Sequence, residues 1–196
     1  AYPEERVGVF VENDGKELRV VEYSEMLPEF QKDPNFNQAN ILSFFYSTSF
    51  LEEIYDAIAK GELPYHIARK KIPSVDENGN PSKIDGIKLE LFNFDICPMA
   101  KDEYLLLEVK REEEFAPIKN APGEPKDTPE ICRAMLSRYY IKLLKNAGAL
   151  IDIDEDSVED KDMPILELSP LLTYSGEGLS QFNGKRIELP AKLEVE

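Results

Sequence analysis

Long apolar runs are missing from this sequence, and so is any surplus of positive charge. Its apolar stretches fall far short of the roughly 20 residues that a membrane-crossing helix needs, and the expectation is of a chain with no secretory leader. Acidic residues number 39 against 23 basic ones, a formal net charge of −16. Such a field opposes a nucleic-acid backbone or an anionic membrane, so neither is expected as a partner. An anionic ligand would need a local basic patch. Cysteine occurs twice, as Cys97 and Cys132, with neither metal-ligand spacing nor the makings of a disulfide framework. The near-sequon Asn80-Pro81-Ser82 is disqualified by its proline. Histidine occurs once, as His66, with no cysteine or aspartate beside it in sequence, which favours packing over catalysis. These features suit a reducing cytoplasm. Repeats and low-complexity tracts are absent.

With 196 residues, 42% of them hydrophobic, the chain can bury a core, as one large domain or as a domain with a small appendage. It begins at Ala1 and is read as a piece of something longer. Its focus is Gly86 to Asp95. Ile87, Leu89 and Leu91 fall on one side of a strand as the buried face, with Lys88, Glu90, Phe92 and Phe94 on the other. Two rings two residues apart, beside Asn93 and Asp95, either wall a small pocket or enter a second core layer.

Around this stretch the pattern predicts strands at Val7 to Val11 and Leu18 to Tyr23, joined through the hairpin signal Asn13-Asp14-Gly15. Gly8 inside the first strand weakens pairing unless something approaches the backbone closely. Glu22, ending the second, is a solvated glutamate or an acceptor for hydroxyls. Asn40 to Tyr46 reads as a buried strand in which Asn40 presents its amide to a ligand or caps a turn. Ser49 to Lys60 reads as a helix capped by Ser49, with Leu51, Ile54, Tyr55 and Ile58 on one face and Gly61 at its end. Arg69-Lys70-Lys71 is read as a solvated turn, Asn78-Gly79 as a turn, Ile96 to Lys101 as a short helical turn and Tyr104 to Val109 as a strand. Lys119 follows a proline in a loop that can hold it against a phosphate. The proline-rich loop Ala121 to Thr128 marks a candidate boundary. Thr128-Pro129 starts the clearest helix, with Cys132, Met135, Leu136, Tyr139, Tyr140, Leu143, Leu144 and Ala147 as its apolar stripe and Gly148 as its stop. Asp152, Asp154 and Asp156 imitate a calcium loop. The imitation fails at Ser157 and Met163, so a solvated loop is expected.

Segments in order along nearly the whole chain resemble the C-terminal part of the eukaryotic UDP-N-acetylglucosamine (UDP-N-acetylhexosamine) pyrophosphorylases. They include Val7-Gly8-Val9, Val20 to Glu25, Asn40-Ile41, Lys70 to Pro73, Gly86-Ile87-Lys88 and Phe92 to Asp95. Pro117 to Ala121, Asn146-Ala147-Gly148 and Tyr174 to Gly178 complete the series. The resemblance implies an α/β fold: the C-terminal part of a nucleotide-diphospho-sugar transferase-like mixed sheet with helices, plus a small C-terminal β appendage. The expected division is a sugar-binding half over 1–148 and a β-rich region over 149–196. It further implies a nucleotidyltransferase that makes UDP-N-acetylglucosamine and pyrophosphate from UTP and N-acetylglucosamine-1-phosphate with Mg²⁺.

By the same resemblance Gly8, Glu22 and Tyr23 line the sugar pocket and Asn40 contacts the sugar. Phe92 and Phe94 wall the N-acetyl group, and Lys119 meets the phosphates. The family's glycine-rich phosphate motif and uracil-binding half find no counterpart in this sequence. The expectation is therefore the sugar side of a site whose nucleotide side lies in an N-terminal half, without which this chain is inactive. Gln38-Ala39 stands where many members have Ala-Gly. No metal ligand is assigned, Asp95 being a candidate by adjacency alone. A broader UDP-sugar pyrophosphorylase and a non-catalytic acidic interaction module are the alternatives.

Overall fold

The computed structural model describes residues 5–13, 17–101 and 103–194. They divide into two compact units, Ala1–Leu106 and Leu107–Glu196. The fold class is mixed α/β, with small two-stranded sheets and helices.

In the first unit, strands β1 (Val9–Glu12) and β2 (Leu18–Val21) pair antiparallel, with Val9 opposite Val21 and Phe10 opposite Val20. The pair is closed where the Asn13 N–H donates to the Glu17 carbonyl at 3.2 Å and the Glu17 N–H to Asn13 Oδ1 at 3.0 Å. The expected turn residues Asp14 and Gly15 lie outside the described residues. A segment at 38–40 flanks the other edge of β1. There the Phe10 N–H donates to the Gln38 carbonyl and the Asn40 N–H to the Gly8 carbonyl, both at 2.8 Å. Beyond it the chain leaves the sheet. Leu42 takes a positive φ of 62° and Phe45 is almost wholly exposed, so the strand expected over Asn40 to Tyr46 does not form.

Helix α1 (Thr48–Ala59) starts one residue earlier than expected, because Ser47 rather than Ser49 caps it by accepting the Phe50 N–H at 3.2 Å. Of its apolar face only Ile54 is buried.

Strands β3 (His66–Val75) and β4 (Pro81–Glu90) form a ten-residue hairpin running from His66 opposite Glu90 to Val75 opposite Pro81. The Asp76 carboxylate closes its turn, accepting the Asn78 and Asn80 N–H groups at 2.9 and 2.8 Å. The expected faces of this stretch are not observed. Ile87 and Leu89 are more than half exposed, because β4 pairs with β3 alone in a ribbon and no second layer covers that side. Arg69, Lys70 and Lys71 sit on β3 rather than on a turn. After Glu90 the chain bends into a 3₁₀ helix over Asn93–Ala100. Its residues Phe94 and Cys97 are buried with Leu18, and Phe10, Val20, Phe44, Phe92 and Tyr104 pack around them. Tyr104 to Val109 contains no strand, and Leu105 is 98% exposed.

The second unit contains α2 (Arg111–Glu114), α3 (Pro129–Asn146), and β5 (Leu166–Leu168) paired parallel with β6 (Ala191–Leu193). Thr128 caps α3 by accepting the Ile131 N–H at 3.3 Å, and Gly148, at φ 90°, ends it. The buried face is Ala134, Ser137, Ile141 and Leu144, rotated from the expected stripe. Small residues let β5 approach, and Ser137 Oγ accepts the Leu166 N–H at 3.0 Å. Because α3 packs on β5 in this way, it shares a unit with the C-terminal strands. The boundary between the two compact units falls between Leu106 and Leu107. The acidic loop after α3 is tied down by cations. Arg138 donates to the Glu155 and Val158 carbonyls and to Asp160, and Lys145 to the Ile153 carbonyl and to Glu155.

The observed helix face predicts that Ile141→Ala lowers unfolding free energy by about 2–5 kcal/mol, because Ile141 is wholly enclosed. Leu136→Ala, on the expected but exposed part of the stripe, costs under about 1 kcal/mol. Denaturant titration of the two variants distinguishes the faces, and equal losses would contradict the packing.

Candidate functional site

Side chains two apart on a strand share a face, and residues opposite one another in an antiparallel pair do too. On the β1–β2 hairpin this places Leu18, Val20 and Glu22 on the same side as Phe10 and Gly8. Gly8, just before β1, lies against Glu22, just after β2. A Cβ on Gly8 would stand 2.9 Å from Glu22 Oε1 and 2.9 Å from Val20 Cγ1. The missing side chain is what lets the carboxylate lie over the backbone. Asn40 is bound to the same point through its N–H on the Gly8 carbonyl. Its side-chain oxygen accepts the Leu42 N–H at 2.9 Å, so it caps its own turn, and the residue is buried. Gly8, Glu22 and Asn40 are therefore brought together. Tyr23 follows Glu22 on an exposed turn, where its carbonyl accepts from Gln31 Nε2 at 3.4 Å.

The rings meet the same hairpin face. Phe92 and Phe94 stack with centroids 4.8 Å apart, and both join the cluster containing Phe10, Leu18 and Val20. They are not equivalent. Phe94 is 3% exposed and belongs to the core, whereas Phe92 is half-buried at its edge. Burial, with the Asp95 charge adding to it, pushes the nearby Cys97 thiol up, which keeps it neutral. Burial likewise pushes the Tyr46 phenol up to about 12, and its hydroxyl donates to the Asn93 carbonyl at 3.4 Å.

His66 is the residue that sequence spacing missed. Its Nδ1 lies 2.9 Å from Glu25 Oε1, and its Nε2 lies 3.1 and 3.0 Å from the two Asp95 oxygens. Its ring packs on Phe92 at 4.3 Å. The packing role expected of it is present, but so are two carboxylates, 41 and 29 positions away in sequence. Partial burial pushes the imidazolium's pKa down. The bonds to Glu25 and Asp95 outweigh that and hold it above its ordinary 6.5. Asp95 is thereby occupied: it binds His66 and accepts the Phe92 N–H at 3.3 Å. Among the described residues no cluster of three His, Cys, Asp or Glu side chains could hold a metal ion. No helix among them is long and apolar enough to cross a membrane.

Lys119 lies in the second unit. Its backbone N–H donates to the Asp127 carbonyl at 2.8 Å, closing the proline-rich loop, and its exposed ammonium stands 5.9 Å over the Phe115 ring.

No family model matches the chain. It is 38% identical to UDP-N-acetylhexosamine pyrophosphorylase-like protein 1 of Mus musculus, an alignment taking in 99% of this chain and 41% of the mouse protein. It is 36% identical to the UDP-N-acetylglucosamine pyrophosphorylase of Saccharomyces cerevisiae, over 92% of this chain and 38% of the yeast protein. A crystal structure from Entamoeba histolytica, of a protein provisionally named a UDP-N-acetylglucosamine pyrophosphorylase, superposes with a TM-score of 0.75 at 37% identity. It covers 99% of this chain and 47% of that one. The chain spans about two fifths of the length of the curated relatives it matches. Over nearly its whole length, the chain is a relative of part of the UDP-N-acetylhexosamine and UDP-N-acetylglucosamine pyrophosphorylases.

Proposed function

We propose that this chain supplies the sugar-holding side of a nucleotidyltransferase that makes UDP-N-acetylglucosamine and pyrophosphate from UTP and N-acetylglucosamine-1-phosphate. The observation that carries the reading is the single hairpin face on which Gly8, Glu22 and the Phe92–Phe94 stack converge, with Asn40 bonded to Gly8. A sugar hydroxyl both donates and accepts. A carboxylate at Glu22 and an amide N–H at Asn40 answer those two needs, and the wrong hydroxyl leaves a partner unpaired at a cost of about 1–3 kcal/mol. An acetamide presents a methyl group and an amide, and Phe92 offers the methyl an apolar wall beside polar neighbours. Phe94 stands behind Phe92 and fixes its plane. Tyr23 is assigned beside the sugar, and Lys119 to the phosphates, on the resemblance alone.

In the reaction the sugar phosphate oxygen attacks the α-phosphorus of UTP in line and pyrophosphate leaves. The protein's part is to orient the attacking group and neutralise charge. The nucleotide-holding groups belong, in this reading, to the N-terminal half of a nucleotide-diphospho-sugar transferase-like sheet. Magnesium commonly takes one or two carboxylates plus substrate phosphates. The described residues show no cluster of three such side chains for it. Free thiols at Cys97 and Cys132 and the net charge of −16 support a cytoplasmic enzyme that binds neither membranes nor nucleic acid.

Ligand binding, turnover and three substitutions test this reading. The chain binds N-acetylglucosamine-1-phosphate in calorimetry in preference to glucose-1-phosphate, and does not turn over UTP and sugar phosphate by itself. Turnover by the chain alone would overturn the division of labour. Phe92→Ala reduces the preference for the acetylated sugar about tenfold. An unchanged ratio would remove that ring from the pocket. Phe94→Ala erodes the same preference and also costs about 3–5 kcal/mol of stability, because it empties a core position. Gly8→Ala displaces Glu22 and crowds Val20. Sugar phosphate affinity should fall while the loss of stability stays within about 1–3 kcal/mol, and retention of full affinity would take Glu22 out of the site.

A further inference from the structure

Two turns carry the candidate pocket. The first runs from Glu22 to Glu25 and is closed by the Glu25 N–H on the Glu22 carbonyl at 2.9 Å. The second runs from Phe92 to Asp95 and is closed by the Asp95 N–H on the Phe92 carbonyl at 3.2 Å. One turn holds the carboxylate assigned to the sugar hydroxyls, and the other holds the rings assigned to the acetamide. His66, at the start of β3, belongs to neither and binds the far end of both. Its ring also lies on Phe92.

We infer that His66 is a positioning residue: by bridging Glu25 and Asp95 it sets the spacing between the Glu22 carboxylate and the Phe92 ring, and so sets how strongly an N-acetylated sugar phosphate is chosen over an unacetylated one. This rests on the sugar-binding reading above. The geometry needs the charged ring. A neutral imidazole has one N–H, so one of its nitrogens would turn a lone pair toward a carboxylate, whereas the imidazolium donates to both. Facing His66 are Glu25 from its turn, Asp95 from the 3₁₀ helix and Glu90 from β4, with Lys88 and Lys70 acting on Glu90. Since the folded pKa lies above 6.5, the bridge is complete below that value and is lost as pH rises through the raised one.

The test compares affinities of the 196-residue chain for N-acetylglucosamine-1-phosphate and glucose-1-phosphate by calorimetry from about pH 5.5 to about pH 9. The phosphate's own titration is common to both ligands and cancels in the ratio. In the wild type the preference for the acetylated sugar should decline as pH rises past the His66 titration. His66→Phe keeps the ring contact with Phe92 but makes neither bond. It should lower the ratio about tenfold and flatten its pH profile. A His66→Phe ratio and profile matching the wild type would overturn the inference while leaving the sugar-binding reading standing. Should that variant fail to fold by circular dichroism, Glu25→Gln decides. It alters a half-exposed carboxylate, so it should lower the ratio and move the pH midpoint downward, and no change in either overturns the inference. A wild-type chain that binds neither sugar phosphate overturns the sugar-binding reading, and this inference with it.

Discussion

The first unit depends on one face of a short hairpin packing against a tight turn. Phe10, Leu18 and Val20 from β1 and β2 meet Phe92, Phe94 and Cys97 from the segment after β4, and the contact is apolar throughout. What is unusual is what happens at its edge. Moving along the same face, the apolar row gives way to a glycine with a carboxylate lying over it. A third large side chain at Gly8 would have extended the core. Its absence leaves the Gly8 backbone directly under the Glu22 carboxylate. The residues proposed for the sugar lie where this core stops, on packing that has its own reasons to be rigid.

Much of this was legible from residue types. A glycine within a β-rich run signals a close approach to its backbone, and Glu22 is what approaches. Aromatics at Phe92 and Phe94 permitted either a pocket wall or a core layer. The structure puts Phe94 in the core and leaves Phe92 half-buried at its edge. The helix over Pro129–Asn146 was visible with its cap and stop because capping is local chemistry. Its buried face was not, because pattern reading weighs bulky side chains. Here Ala134 and Ser137 are buried for being small, which brings the β5 backbone within hydrogen-bond reach of Ser137. Strand faces failed for a related reason. Periodicity in Ile87, Leu89 and Leu91 says which residues share a side, not whether anything covers it. The same holds for Tyr104 to Val109, whose apolar character is satisfied by no strand partner. His66 was illegible in principle, since its two partners are far away along the chain.

Charge is handled locally despite the acidic excess. In the loop after α3, Arg138 and Lys145 each combine a carboxylate with backbone carbonyls, so the two cations order a segment that like-charge repulsion alone would spread. What reads in sequence as a damaged calcium loop is held by side chains of the protein itself. Glu177 shows the complementary device. Backbone N–H groups of Ser175 and Tyr174 hold its carboxyl down at about 2, so a glycine-flanked loop is fixed around an anion that belongs to the chain.

His66 combines both devices, and the choice of a charged bridge there has a physical logic. Placing an imidazolium between two carboxylates is a modest way to gain stability, because desolvating His66 and Asp95 offsets part of the Coulombic gain and Glu25 is half-exposed. An apolar side chain in its place would bind Phe92 equally well and would be simpler to fold. What it could not supply is direction. Two hydrogen bonds leaving opposite sides of a planar ring fix the positions of both acceptors, and each acceptor ends a turn whose other end carries a group assigned to the sugar. Dispersion against Phe92 sets the ring's plane, and the paired bonds set its azimuth within that plane. The two together leave the Glu22 and Phe92 turns little freedom to drift apart. A site that must tell a hydroxyl from an acetamide at the same carbon needs such a constraint, since the difference between the two ligands is only a few ångströms of reach.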